Sequence, residues 1–128
     1  MSDRPPLITG TDFVFVPVRS FEQAEEFYGG VLGLPCSARY TKGIGGEFET
    51  GSLTIQLIEV EKIGRPFQAG GGAIALHVDD VAGARAELEA RGVRFEADTI
   101  DSGVCHQAIF SDPDGNHLIL HHRYAPKN

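Results

Sequence analysis

The apolar residues of this chain fall into a rhythm that changes period several times. Residues 13–18, FVFVPV, are apolar at every position, as expected for a strand covered on both faces. Pro17 has no N–H to give a ladder, so it marks an edge, a bulge or a strand end. In the following RSFEQAEEFYGGVLGLP the apolar residues Phe21, Ala24, Phe27, Tyr28, Val31 and Leu32 recur at helical spacing. Ser20 and Gln23 form an S-x-x-Q capping box, and a stop is expected near Gly33, before Pro35. Residues 36–42, 46–50 and 53–60 read as three strands, and in the last of them Thr54, Gln56 and Ile58 alternate with Leu53, Ile55 and Leu57. Residues 61–72, EKIGRPFQAGGG, have no period and read as a linker or loop.

The order then begins again. AIALHV (73–78) is a strand, Asp80 is placed to cap a helix, and VAGARAELEARG carries Val81, Ala84 and Leu88 inward until Gly92 closes it. Residues 93–97, 104–111 and 117–123 supply three more strands. The two halves match at an offset of 60, Val18 with Val78, Phe21 with Val81, Ala24 with Ala84 and Tyr28 with Leu88. Such a repeat predicts an α+β fold of two tandem β-α-β-β-β modules, about 10–60 and 73–123, joined by the linker 61–72 within one domain over 1–128.

Parity along each strand separates two faces. If Val14, Val16, Ile55, Leu57, Ile74, Leu76, Val78, Leu118 and Leu120 lie under the helices, the other face carries Phe13, Phe15, Thr54, Gln56, Ile58, Ala73, Ala75, His77, His117, Ile119 and His121. Two aromatic rings, small alanines and a few polar groups suit a small-molecule pocket. The alternative is that large side chains meet across the space and fill it.

The stretch FSDPDGNHLILHH (110–122) raises the question of a metal, because Asp, Asn and His are crowded there. Asp112, Asp114 and Asn116 imitate the start of a calcium loop, but His117 stands where that loop needs glycine and Arg123 where it needs glutamate. DPDGN is better read as a turn, with Pro113 at a φ near −65° and Gly115 at positive φ. Cys105 and His106 are neighbours on one strand and point to opposite faces, a poor geometry for a nucleophile pair. GGG at 70–72 precedes no helix N-terminus and is not a phosphate loop.

Composition narrows the classes. The 128 residues suffice for one ordinary domain, and 18 acidic against 11 basic side chains give a net charge of −7, which disfavours nucleic acid and anionic membranes. The opening residues lack the basic end and apolar run of a secretory signal, and no apolar stretch approaches the ~18 residues of a membrane span, so a cytoplasmic location is expected. Cys36 and Cys105 are then expected as thiols.

The patterns VPVRSFEQAEEFYGGVLGLP, VDDVAGARAELEARGV and FSDPDGN, on the two-module repeat, resemble the vicinal oxygen chelate superfamily of glyoxalase I, extradiol dioxygenases and fosfomycin- and bleomycin-resistance proteins, over about residues 10–123. The resemblance implies curved mixed sheets, half-barrels around a central cavity, and in metal-using members one divalent ion on up to four inward side chains. Those positions match Phe13, Gln56, Ala73 and Ile119 here, and only Gln56 could donate. A divalent ion needs about three or more N or O donors from the protein, so the family's metal and its Lewis-acid chemistry are not expected. The resemblance also places Cys105, Gln107 and Ile109 on the inner face and implies a homodimer with ligand crevices between subunits.

Two functions follow as expectations. The first is a protein without cofactor that binds or sequesters a small organic molecule, in the manner of bleomycin-resistance proteins that hold a cationic drug, using Phe13, Phe15, Gln56, Ala73, His77, Cys105, Gln107, Ile119 and His121. The second is a lyase, isomerase or dioxygenase-type enzyme with His77 or His121 as general base, or with a displaced divalent-metal site that adds Gln56, His117 or Cys105 to that pair. An interaction domain with a filled cavity is a third, weaker reading.

Overall fold

The computed structural model describes residues 5–126. The first module runs β1 (Val14–Val18), α1 (Phe21–Glu25), β2 (Cys36–Arg39), β3 (Gly45–Glu49) and β4 (Thr54–Glu59); the second runs β5 (Ala73–His77), α2 (Val81–Ala90), β6 (Ile100–Asp101), β7 (Cys105–Ser111) and β8 (His117–Arg123). Each module builds one mixed four-stranded sheet, ordered β1-β4-β3-β2 and β5-β8-β7-β6. The first strand pairs in parallel with the last, and the middle strands run antiparallel. The expected α+β two-module fold is therefore present. Among the described residues no helix is long and apolar enough to cross a membrane.

The alternation places the core as expected. Val16, Ile55, Leu57, Leu118 and Leu120 are buried, and they share one cluster with Phe21, Ala24, Tyr28, Val81 and Leu88 from the helices of both modules. The repeat is thus visible as packing: the matched pairs Phe21/Val81 and Tyr28/Leu88 are all core residues.

Three elements differ from the sequence expectation. The first helix is α-helical only to Glu25 and continues as a π turn over Glu26–Val31, with Leu32 N–H reaching back to Phe27 O at 2.9 Å. The wider turn turns two adjacent rings inward at once: Tyr28 is fully buried, and Phe27 packs on Phe110 of the other module. The strand expected at 36–42 stops at Arg39, because a tight turn at Thr41–Gly43 intervenes, with Lys42 at φ 62°. The strand expected at 93–97 is reduced to a single bridge between Phe95 and Phe110, and the pairing strand is Ile100–Asp101. Phe95 is held instead by ring contact with Phe110 at 5.1 Å and by Arg85 above it. At the helix starts, Ser20 Oγ accepts from Gln23 N–H as the capping box requires, whereas the Asp80 side chain makes no capping bond.

Gly46 shows how closely the first module is packed. A Cβ there would lie 2.6 Å from Ala38 O and 2.8 Å from the Phe21 ring. Gly46→Ala is expected to cost about 1–3 kcal/mol by overpacking, read as a lower denaturation midpoint with unchanged m-value. A neutral result would show that β2 yields without loss.

The DPDGN turn does more than reverse the chain. Asp112 and Asn116 are both 5% exposed. Asp112 Oδ2 accepts from the Tyr28 hydroxyl at 2.8 Å and from Asn116 Nδ2 at 2.9 Å, while Oδ1 accepts from the backbone N–H groups of Asp114 and Asn116. Asn116 also donates to Pro17 O and accepts from Gly70 N–H, each at 2.8 Å. First module, linker and second module therefore meet on one turn. Burial first, and Asp112 second, push the Tyr28 phenol far above its ordinary range, so it stays a donor.

Candidate functional site

The faces turned away from the helices remain open except at Ile58 and Cys105, which are buried. Phe13 and Phe15 are 47% and 45% exposed, and Ala73, Ala75, His77 and His117 are exposed as well. Each sheet ends in free edge strands. The expected central cavity is thus, in a single chain, a pair of open faces, because four strands curve without closing.

On the first face Phe15, Gln56 and Glu47 are neighbours across β1, β4 and β3. Gln56 Nε2 donates to Tyr40 Oη at 3.0 Å, and Tyr40 in turn donates to Glu47. Burial, then the bond to Glu47, raises the Tyr40 phenol above its ordinary value. Beside them Glu49 accepts from Ser37 and Thr54, which holds its carboxyl below the usual range. Tyr40, Glu47 and Glu49 were missing from the sequence expectation. The signal was available, since GEFE alternates around buried Phe48 and parity alone puts Glu47 and Glu49 on the open face.

On the second face the rows are Ala73–His117–Ser111, Ala75–Ile119–Ile109 and His77–His121–Gln107. His77 and His121 are thereby brought side by side. The histidines also have carboxylates that strand parity did not supply: Asp79 lies 3.2 Å from His77, and Glu96 lies 3.0 Å from His117. Both carboxylates sit outside the paired strands, where alternation says nothing about direction.

Cys105 does not line an open wall. It is 6% exposed, beneath the turn 102–104, with Ser102 Oγ at 3.2 Å and Gln107 Nε2 at 3.6 Å from its sulfur. Those two hydrogen bonds, Ser102 first, lower its thiol below the ordinary value. A lowered pKa favours thiolate, but burial blocks approach, and burial decides here. Under native conditions iodoacetamide is expected to label the half-buried Cys36 before Cys105, as read by peptide mass spectrometry. The reverse order would place Cys105 at an accessible surface.

The donor set does not fit the family's divalent ion. Of the four positions that the resemblance matches, Phe13, Ala73 and Ile119 offer no donor, which leaves the Gln56 side-chain oxygen alone, short of the three or more donors such an ion needs. Among the described residues no three His, Cys, Asp or Glu side chains gather closely enough to hold a metal ion.

The model of the Glyoxalase/Bleomycin resistance protein/Dioxygenase superfamily matches residues 10–120. The chain belongs to this superfamily. No curated protein matches the sequence. Among solved structures, the antibiotic binding protein TnmS3 from Streptomyces sp. CB03234 is 27% identical with a TM-score of 0.76, over 93% of this chain and 99% of that one. A putative glyoxalase family protein from Bacillus anthracis is 23% identical with a TM-score of 0.77, over 94% and 99%. A lactoylglutathione lyase from Agrobacterium tumefaciens is 21% identical with a TM-score of 0.74, over 91% and 94%. The last two establish likeness of superfamily fold only.

Proposed function

We propose that the protein is a small-molecule binding member of the glyoxalase/bleomycin resistance superfamily that works without the family's metal. The observation that carries this reading is the open first face, where Phe15 stands nearly half exposed beside the Gln56–Tyr40–Glu47 chain, with the equally exposed Phe13 just ahead of β1. Large rings held in water on a rigid sheet, next to a few fixed polar groups, suit a flat organic ligand. Glu47 and Glu49 on the same face, within a chain of net charge −7, favour a cationic one. The likeness to an antibiotic binding protein supports the same reading.

The faces are half-sites. A second copy that lays its second-module face over the first-module face would enclose the rings, so the working form is a homodimer. Light scattering is expected to give twice the chain mass at micromolar concentration, and a monomer throughout would overturn this part. The ligand class is tested by thermal melting against a panel of cationic aromatic antibiotics. A concentration-dependent rise is expected from at least one of them. A flat response across the panel would overturn the reading.

One observation favours an acid–base enzyme as the second reading, the pairing of His77 with Asp79 next to His121. In that case His77→Gln would abolish turnover while leaving binding intact, whereas the binding reading expects no turnover to lose.

A further inference from the structure

The internal repeat extends upstream of both modules. At the same offset of 60, Pro6 matches Pro66, Leu7 matches Phe67 and Gly10 matches Gly70. The arm ahead of β1 and the linker ahead of β5 are thus one short pattern used twice, and the two copies are placed differently.

Ahead of β5 the pattern is docked. Phe67 is half-buried with the Arg19 guanidinium 4.2 Å from its ring centre, and Gly70 N–H donates to Oδ1 of Asn116, the residue before β8. Asn116 in turn donates to Pro17 O of β1. Ahead of β1 the pattern stands away from the fold. Residues 5–13 are all exposed, Leu7 at 96% and Ile8 at 80%, and a Cβ on Gly10 would meet nothing within 4 Å. Two adjacent large apolar side chains in water gain from any apolar surface that can cover them.

The matching surface lies within reach. Leu53 precedes β4 as Asn116 precedes β8. With Leu32, Leu34, Ile74, Leu76 and Val78 it lines a cavity of about 650 Å³, and all six side chains are only partly buried. Every residue of Ile74–Val78 borders this cavity, whichever way its side chain points, so the cavity runs along the unpaired edge of β5. β1 and β4 are parallel with Val14 opposite Ile55, so the chain enters β1 beside Leu53. Leu7 and Ile8 lie seven and six residues before Val14, roughly 20 Å of extended chain.

We propose that residues 5–12 are a strap that closes onto this cavity in its own chain, with Leu7 and Ile8 against the β5 edge. The repeat gives the reason for the same chain, because the linker docks on the turn of the module it leads into. The hold differs between the two places. Asn116 hooks Gly70 by a hydrogen bond, whereas Leu53 offers only apolar contact, so the strap is held by burial and can open. Closed, it shields the backbone groups of β5 from pairing with another chain. The strap is independent of the ligand reading.

Thermal melting and methyl NMR on the full chain test the strap. Leu7→Ser combined with Ile8→Ser is expected to lower the melting temperature by about 5 °C, whereas loss of two free, exposed side chains would leave it unchanged. In a Leu76→Ala background, which removes part of the wall, the same pair of substitutions should cost less. In the wild type, nuclear Overhauser effects are expected between the methyls of Leu7 or Ile8 and those of Leu53, Leu76 or Val78. They should be absent from a spectrum filtered for contacts between chains in a mixture of labelled and unlabelled protein. An unchanged melting temperature without these contacts would overturn the inference and leave a free arm. Contacts found only between chains would overturn it in favour of an arm exchanged between two copies.

Discussion

Asp112→Ala is expected to destabilise the protein by about 3–4 kcal/mol. The carboxylate is 5% exposed and accepts four hydrogen bonds, from the Tyr28 hydroxyl, the Asn116 amide and the N–H groups of Asp114 and Asn116. Removing it leaves several buried donors without partners, and each such group carries its own desolvation penalty. The melting temperature should fall by roughly 10 °C. Tyr28→Phe deletes only one donor of the set and should cost less, about 1–2 kcal/mol. Because both act on one network, the double variant should lose less than the two single losses combined. Additive losses would mean that the Tyr28 hydroxyl and Asp112 are energetically independent, against the geometry.

Phe13→Ala combined with Phe15→Ala has the opposite signature. Both rings are nearly half exposed, so their combined loss should be about 2 kcal/mol, well below that of Asp112→Ala. Ligand affinity, in contrast, should fall about a hundredfold, since aromatic anchors at the centre of a contact carry most of its energy. Titration of wild type and variant with a ligand found in the melting panel reads the affinity, and urea denaturation reads the stability. A large stability loss with unchanged affinity would make the rings part of the fold rather than of a site.

The division between these two effects follows what alternation can convey. Strand parity alone separated Ile55, Leu57, Leu118 and Leu120, which are buried, from Phe15, Ala73, Ala75 and His117, which are open. The two-module repeat was legible for the same reason, because buried positions must recur wherever the same packing recurs. Local pattern also identified DPDGN as a turn, and Gly115 indeed takes φ 87°. It could not reveal that Asp112 serves Tyr28, 84 residues earlier in the chain, because no local period encodes a contact across modules.

The failures have physical causes of the same kind. Phe95 sits in a segment with strand-like composition, yet its ring is drawn onto Phe110, and the pairing moves to Ile100–Asp101. The π turn depends on two adjacent rings both finding space in the core, a tertiary demand that overrides helical spacing. The candidate site was legible as a set of directions and not as a set of partners. Asp79 and Glu96 reach the histidines from outside the paired strands, Gln56 is engaged by Tyr40, and Cys105 is covered by its own turn.

Ligand capture without a metal can be read from thermal melting of chelator-treated protein with and without the ligand, before and after adding back Ni, Zn, Mn or Fe. A full ligand-induced rise is expected in the chelated protein, with no further rise on adding any of the ions. A rise that appears only after metal is restored would contradict capture without a metal.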